Sequence, residues 1–76
     1  MPPVPVLSAD EVVRVFASFG WQVARQRASH IVLVKEGDTA TLSVPDHPEV
    51  ARGTLRALIR AAGLTVSQFI EARREL

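Results

Sequence analysis

The sequence HIVLVKE at residues 30–36 is the strongest β-strand signal in the chain, because β-branched residues crowd it. The segments on either side, WQVARQR at residues 21–27 and TATLSV at residues 39–44, alternate along the chain. Only Ala28-Ser29 and Gly37-Asp38 link the three segments. Links this short cannot carry a crossover, so the sequence predicts a three-stranded antiparallel sheet.

Helices are indicated before and after this sheet. Ser8 with Glu11 and Thr65 with Gln68 have the spacing of a capping box, which marks a helix start. A further helix is indicated before the second box, where apolar residues recur at helical spacing over residues 54–62 and Gly63 follows as a helix stop signal. The sequence predicts three helices, over residues 9–19, 54–62 and 66–74.

The resulting order, α-β-β-β-α-α, predicts an α+β two-layer sandwich with the helices on one face of the sheet. A chain of 76 residues allows one domain, residues 1–76, in which PPVP makes residues 1–7 a loose N-terminal arm. In the first strand, Trp21, Val23, Arg25 and Arg27 are expected on one face, whose apolar part is Trp21 and Val23. We expect Trp21 in the core. A chain this short cannot enclose a deep pocket, so any site lies in a groove or on the open sheet face.

The composition argues against several classes of protein. There is no cysteine, and the two histidines are far apart, which argues against disulfide and metal sites. No apolar stretch approaches the roughly 20 residues that span a bilayer, and the first residues do not resemble a signal peptide. We therefore expect a cytoplasmic protein without a cofactor or a membrane partner.

The net charge is only +1, but all basic residues except Lys35 are arginines. The planar guanidinium suits phosphate, although a GC-rich genome explains the preference equally well. Arg52, Arg56 and Arg60 follow one helical stripe. The stripe is either simply the solvent-exposed face of a helix, or a surface that binds a row of phosphates or an acidic partner.

Three segments, GWQVARQRASHIVLV, VPDHP and RGTLRALIRAAGL, resemble in this order and spacing the HicA family of bacterial toxin–antitoxin toxins. The resemblance covers roughly residues 10–70. It implies a fold like the double-stranded RNA-binding domain, messenger-RNA endoribonuclease activity and a HicB-like antitoxin partner. It also implies that His30 is catalytic. The family usually has Gly-Ser-His where this chain has Ala28-Ser29-His30, so Ala28 is strained if the turn needs a positive φ.

A histidine suits this chemistry because its ring titrates near neutral pH and can act as base or acid. We hypothesise that His30 transfers protons during attack by the RNA 2′-hydroxyl, giving a 2′,3′-cyclic phosphate and a 5′-hydroxyl without a metal. The candidate RNA-binding residues are Arg25, Arg27, Ser29, Lys35 and His47.

Other interpretations stay open. A lone histidine at a strand end is usually structural, so the assignment of His30 depends on the resemblance. His47 is expected to be a loop residue that hydrogen-bonds locally, and a second catalytic group is the alternative. Arg25 and Arg27 could simply protect an edge strand. The whole chain could instead be a non-catalytic RNA-binding module or a protein-interaction domain, although a single lysine counts against the former.

Overall fold

The computed structural model describes residues 3–76. Within them, one helix, three strands and two helices follow in the predicted order. The elements are α1 (Ala9–Ala17), β1 (Trp21–Arg27), β2 (His30–Lys35), β3 (Thr41–Pro45), α2 (Arg52–Ala61) and α3 (Val66–Arg74). No helix in this part of the chain has the length and apolar character needed to cross a membrane.

The sheet has the order β1-β2-β3 and both neighbouring pairs are antiparallel, so β2 is the central strand. One face, which we call the inner face, is apolar: Ile31, Leu33, Leu42 and Val44 are buried there. The helices pack against it, with α1 on β1 and β3, α2 on β3, and α3 on α1 and α2. The opposite face, which we call the open face, carries mostly exposed side chains. The predicted α+β architecture with helices on one face is confirmed.

Aromatic residues tie the helices and the sheet into one core. The rings of Phe16 on α1 and Phe69 on α3 meet edge to face, with centroids 5.2 Å apart. Trp21, the first residue of β1, is 2% exposed, which confirms the prediction that it belongs to the core. Burying one large apolar side chain stabilises a fold by roughly 1.5–3 kcal/mol, so each of these three residues contributes substantially to the core.

The two predicted capping boxes are present. The Glu11 backbone N–H donates to Ser8 Oγ over 3.2 Å, and the Ser8 backbone N–H donates to Glu11 Oε1 over 3.1 Å. Thr65 and Gln68 make the equivalent pair at α3. An N-cap hydroxyl is typically worth about 1 kcal/mol, which explains why both helices begin where the sequence predicts.

Two other helix boundaries differ from the prediction by two residues. α1 ends at Ala17 rather than Phe19, with Ser18 as its C-cap. α2 begins at Arg52 rather than Thr54, and its N-cap, Ala51, makes no side-chain capping bond. Without a capping side chain, the sequence contains no local signal for this start.

A β-bulge between Val23 and Arg25 changes which face the second half of β1 presents. Before the bulge, Trp21 and Val23 pair with inner-face positions of β2; after it, Arg25 and Arg27 pair with open-face positions. The prediction that these four residues share one face is wrong, because the extra residue, Ala24, shifts the alternation. The apolar contribution of β1 is also smaller than expected, since Val23 is 54% exposed.

The segment before α1 packs against the core. Val4 and Leu7 are each 1% exposed, and the Val50 backbone N–H donates to the Leu7 carbonyl over 2.8 Å. The prediction of a loose arm therefore does not hold for residues 4–7. Residues 1 and 2, which that prediction also included, lie outside the described residues.

Candidate active site on the open sheet face

A two-residue turn joins β1 to β2 and sets His30 at the start of the central strand. Arg27 pairs with His30 across this turn, and both residues are exposed. Ala28 has φ 50° and is the one non-glycine residue with a positive φ in the described part of the chain. Positive φ at the first turn position alone matches a type II′ turn, which favours glycine there. Ala28 therefore carries the backbone strain that the departure from Gly-Ser-His predicts.

The strand register arranges the open face as three rows of side chains that run across β1, β2 and β3. Directly opposed side chains on neighbouring strands have Cβ atoms about 4.5–5.5 Å apart. The first, second and third rows are Arg27-His30-Pro45, Arg25-Val32-Ser43 and Gln22-Val34-Thr41. Arg27 thus lies beside His30. Arg25, on the same strand as Arg27, lies one row away.

Lys35 is not brought together with these residues. It pairs with Trp21 at the other end of β2, five residues from His30, which is roughly 17 Å along a strand. It also alternates with Ile31 and Leu33, so its side chain leaves from the inner face. A Cβ atom added at Gly20 would lie 3.4 Å from Lys35 Cε, so the lysine stem folds over the start of β1.

The loop after β3 is attached to the turn that carries Ser29. The Asp46 backbone N–H donates to the Ser29 carbonyl over 2.7 Å, and Gln26 Nε2 donates to Asp46 Oδ2 over 2.9 Å. Asp46 therefore holds the turn next to His30 in place, while the Ser29 side chain is exposed. Gln26 and Asp46 were not among the residues predicted from the sequence. The pair is 20 residues apart, so no local pattern could have revealed it.

His47 lies in the same loop, two residues after Pro45, the cross-strand partner of His30. Its main chain is engaged on both sides: its N–H donates to the Pro45 carbonyl over 2.9 Å, and its carbonyl accepts from Ala9 N–H over 3.0 Å. Its side chain is exposed beside the start of α1, in a shallow groove that Asp10 and Asp46 also line. The loop position predicted for His47 agrees with these contacts.

The arginines of the open face have no acidic partner within residues 3–76. The ion pairs found there are Arg73 with Glu11 at 3.8 Å and Arg74 with Glu71 at 3.6 Å, both on the helices. Arg25 and Arg27 are therefore cations available to an external anion. In the same described residues, no group of three His, Cys, Asp or Glu side chains is arranged to hold a metal ion.

The predicted arginine stripe lies on α2, whose first residue is Arg52. Arg56 and Arg60 line a groove of about 220 Å³ between α2 and α3, together with Ile59 and Leu64. This groove is on the helical side of the molecule, so the stripe and the open face are separate cationic surfaces.

The family model for the HicA toxin of bacterial toxin–antitoxin systems matches residues 9–64. The match spans α1, all three strands and α2, and it includes the turn with His30 and the loop with His47. Among curated proteins, no relative matches the chain. The chain therefore belongs to the HicA toxin family of bacterial toxin–antitoxin systems.

Proposed function

We propose that this toxin is an endoribonuclease that cleaves messenger RNA with His30 as its proton-transfer catalyst. HicA toxins are known as mRNA interferases, and membership of the family makes RNA the expected substrate. The observation that carries the proposal is the first row of the open face. There an exposed imidazole lies beside an unpaired guanidinium at a turn that Asp46 holds in place.

The reaction needs few protein groups because RNA supplies its own nucleophile. The 2′-hydroxyl oxygen attacks phosphorus, the bond from phosphorus to the 5′-oxygen breaks, and a 2′,3′-cyclic phosphate and a 5′-hydroxyl form. One proton leaves the 2′-hydroxyl and one is delivered to the 5′-oxygen. His30 transfers one of these protons, as an imidazole accepting it or as an imidazolium donating it, and water or His47 transfers the other.

The phosphorane gains negative charge as it forms, and Arg27 is positioned to stabilise it. A cation aimed at developing charge is among the strongest catalytic devices in enzymes. Ser29, next to His30, orients the substrate or the ring, and Arg25 contacts a neighbouring phosphate. Lys35 has the weakest support among the candidate RNA-binding residues, because it lies at the far end of β2 and on the inner side.

The partner implied by the family is an antitoxin. We propose that it is a HicB-like protein that covers the open face around His30. An exposed histidine and two unpaired arginines offer an acidic partner a surface it can neutralise and shield from RNA.

The decisive experiment compares the wild-type chain with His30→Ala and His30→Gln. Purified proteins are incubated with a labelled messenger RNA, and circular dichroism checks that each variant is folded. We expect the wild type to cleave and both variants to be inactive. Undiminished cleavage by a folded variant would remove His30 from the mechanism and make His47 the next residue to replace. Intact RNA with all three proteins would favour a non-catalytic RNA-binding module.

A further inference from the structure

The second row of the open face, next to the proposed catalytic row, combines three different chemistries. Arg25 provides a cation on β1, Val32 an apolar surface on β2, and Ser43 a hydroxyl on β3. Two residues of a β-strand advance by about 6.6 Å, so this row is one such step from His30. That advance is comparable with the separation of successive phosphates in an extended RNA strand.

The side chains of this row are available to a ligand. Arg25 and Ser43 are exposed, and neither makes a side-chain hydrogen bond or ion pair within the described residues. Val32 is half-buried although it lies on the face opposite the helices. Val32 therefore provides an apolar contact surface for a ligand, with the Arg25 cation on one side and the Ser43 hydroxyl on the other.

We infer that the second row is a nucleoside-positioning subsite for single-stranded RNA, an inference that rests on the proposed ribonuclease function. Arg25 binds the phosphate adjacent to the one that is cleaved. Val32 contacts the face of the attached base, as apolar side chains do in pockets that hold extruded bases. Ser43 forms a hydrogen bond with the base edge or a ribose hydroxyl.

The geometry favours an unpaired strand over a duplex. Three strands at a spacing of about 4.8 Å make a row about 10 Å across, which is close to the width of one nucleotide. In a duplex the base faces are stacked inside the helix, so Val32 could not reach them. The order of chemistries also matches the nucleotide itself, with phosphate on one side and base edge on the other.

The binding test uses His30→Gln as the parent, so that RNA is bound without being cut. The probe is a fluorescently labelled single-stranded RNA hexamer of mixed sequence, together with the same sequence in a duplex. Arg25→Gln and Val32→Glu are compared with Arg60→Gln and Val23→Glu, which make the same changes of charge at exposed positions away from the open face. Circular dichroism checks all variants.

We expect Arg25→Gln and Val32→Glu each to weaken binding of the hexamer by about tenfold, in line with the loss of one nucleotide contact. The two control variants should stay within about twofold of the parent, and the duplex should bind more weakly than the hexamer. Equal losses in test and control variants would overturn the inference, as would equal losses for hexamer and duplex. If the Arg25 and Val32 variants bound RNA as the parent does but bound the antitoxin more weakly, the row would belong to a protein interface. That result would also overturn the inference.

A second readout separates positioning from folding. With His30 intact, Val32→Ala should raise KM more than it lowers kcat and should redistribute the cleavage sites on a long RNA. A variant that was merely less stable would cut the same sites more slowly. Cleavage through His30 by a Val32→Ala variant with unchanged KM and sites would reject the subsite and leave the ribonuclease proposal standing. Absence of any RNA binding or cleavage by the wild type would remove both.

Discussion

Arg27 lies directly across the β1–β2 hairpin from His30, with only Ala28 and Ser29 between them in the chain. The backbone register fixes this pair, so both side chains leave the sheet on the same face. Because the arginine has no acidic partner within residues 3–76, its charge is available to an anion bound beside His30, such as the phosphorane of the proposed mechanism.

Replacing Arg27 by Gln should lower kcat/KM for RNA cleavage by about 10²-fold, the effect typical of losing one donor to a developing charge. Arg27→Lys should recover part of the loss, since a point charge remains without the bidentate fork. Arg60→Gln, which removes the same charge from α2, is the control. Single-turnover cleavage of a labelled RNA measures all three, and equal effects of Arg27→Gln and Arg60→Gln would contradict a specific role.

Ala28→Gly should stabilise the chain by about 1 kcal/mol, because glycine adopts φ 50° without the clash that an alanine Cβ makes. In a chain of this size, a gain of that magnitude raises Tm by roughly 4–8 °C. Ala57→Gly, at an exposed helical position of α2, should destabilise by a similar amount and serves as the control. Thermal unfolding followed by circular dichroism measures both changes, and a loss of stability in Ala28→Gly would rule out strain at this turn.

Acid should weaken the start of α1. The Ser8 backbone N–H, hydrogen-bonded to the Glu11 carboxylate, holds the pKa of Glu11 below its ordinary value of 4.5, with smaller contributions from the Ser8 hydroxyl, Arg73 and Arg14. A carboxyl whose pKa is lower in the folded chain contributes stability above its unfolded pKa. That contribution disappears as the pH falls through the folded pKa.

Glu11→Gln tests this dependence, because the amide keeps an oxygen that can accept the Ser8 hydrogen bond. The wild type should be more stable than the variant at pH 7, and the difference should shrink as the pH falls below about 4.5. Urea unfolding at a series of pH values measures it. Glu36→Gln, in the exposed turn after β2, should match the wild type at pH 7. A constant difference between wild type and Glu11→Gln down to pH 3 would contradict the role of the ionised carboxylate.

Cleavage should depend on the 2′-hydroxyl of the nucleotide that is cut and not on added metal. A substrate with one 2′-deoxynucleotide at the cleavage position should stay intact at that bond while neighbouring bonds are cut. A chelator should leave the rate unchanged. Mass spectrometry of the products should find 2′,3′-cyclic phosphate and 5′-hydroxyl ends; a 5′-phosphate product would show that water or another nucleophile attacks instead.

The elements that local interactions specify could be predicted from the sequence. The capping boxes of α1 and α3 each involve residues three apart, and both helices begin as predicted. The β-branched run in β2 likewise formed the central strand, with its predicted end at Glu36 shortened to Lys35. β3 begins at Thr41 rather than Thr39, because Asp38 accepts a hydrogen bond from Ala40 N–H and extends the turn.

The features that pairing between strands specifies could not be predicted. Nothing in WQVARQR indicates that Ala24 is the bulged residue, since the bulge appears only when β1 pairs with β2. The hydrogen bond between Gln26 and Asp46 also follows from strand pairing, and no local sequence pattern predicts it. Lys35 is different, because the alternation of β2 already places it with Ile31 and Leu33, opposite to His30.

The bulge at Ala24 also determines how this toxin can change over evolutionary time. Deleting Ala24 would leave a simple alternation in which Trp21 and Val23 still face the core and the two arginines still lie on the side of His30. Inserting one residue between Trp21 and Arg25, without a second bulge, would turn either Trp21 out of the core or the arginines away from His30. We therefore expect natural variants of this strand to tolerate the loss of one residue in this segment and not the gain of one.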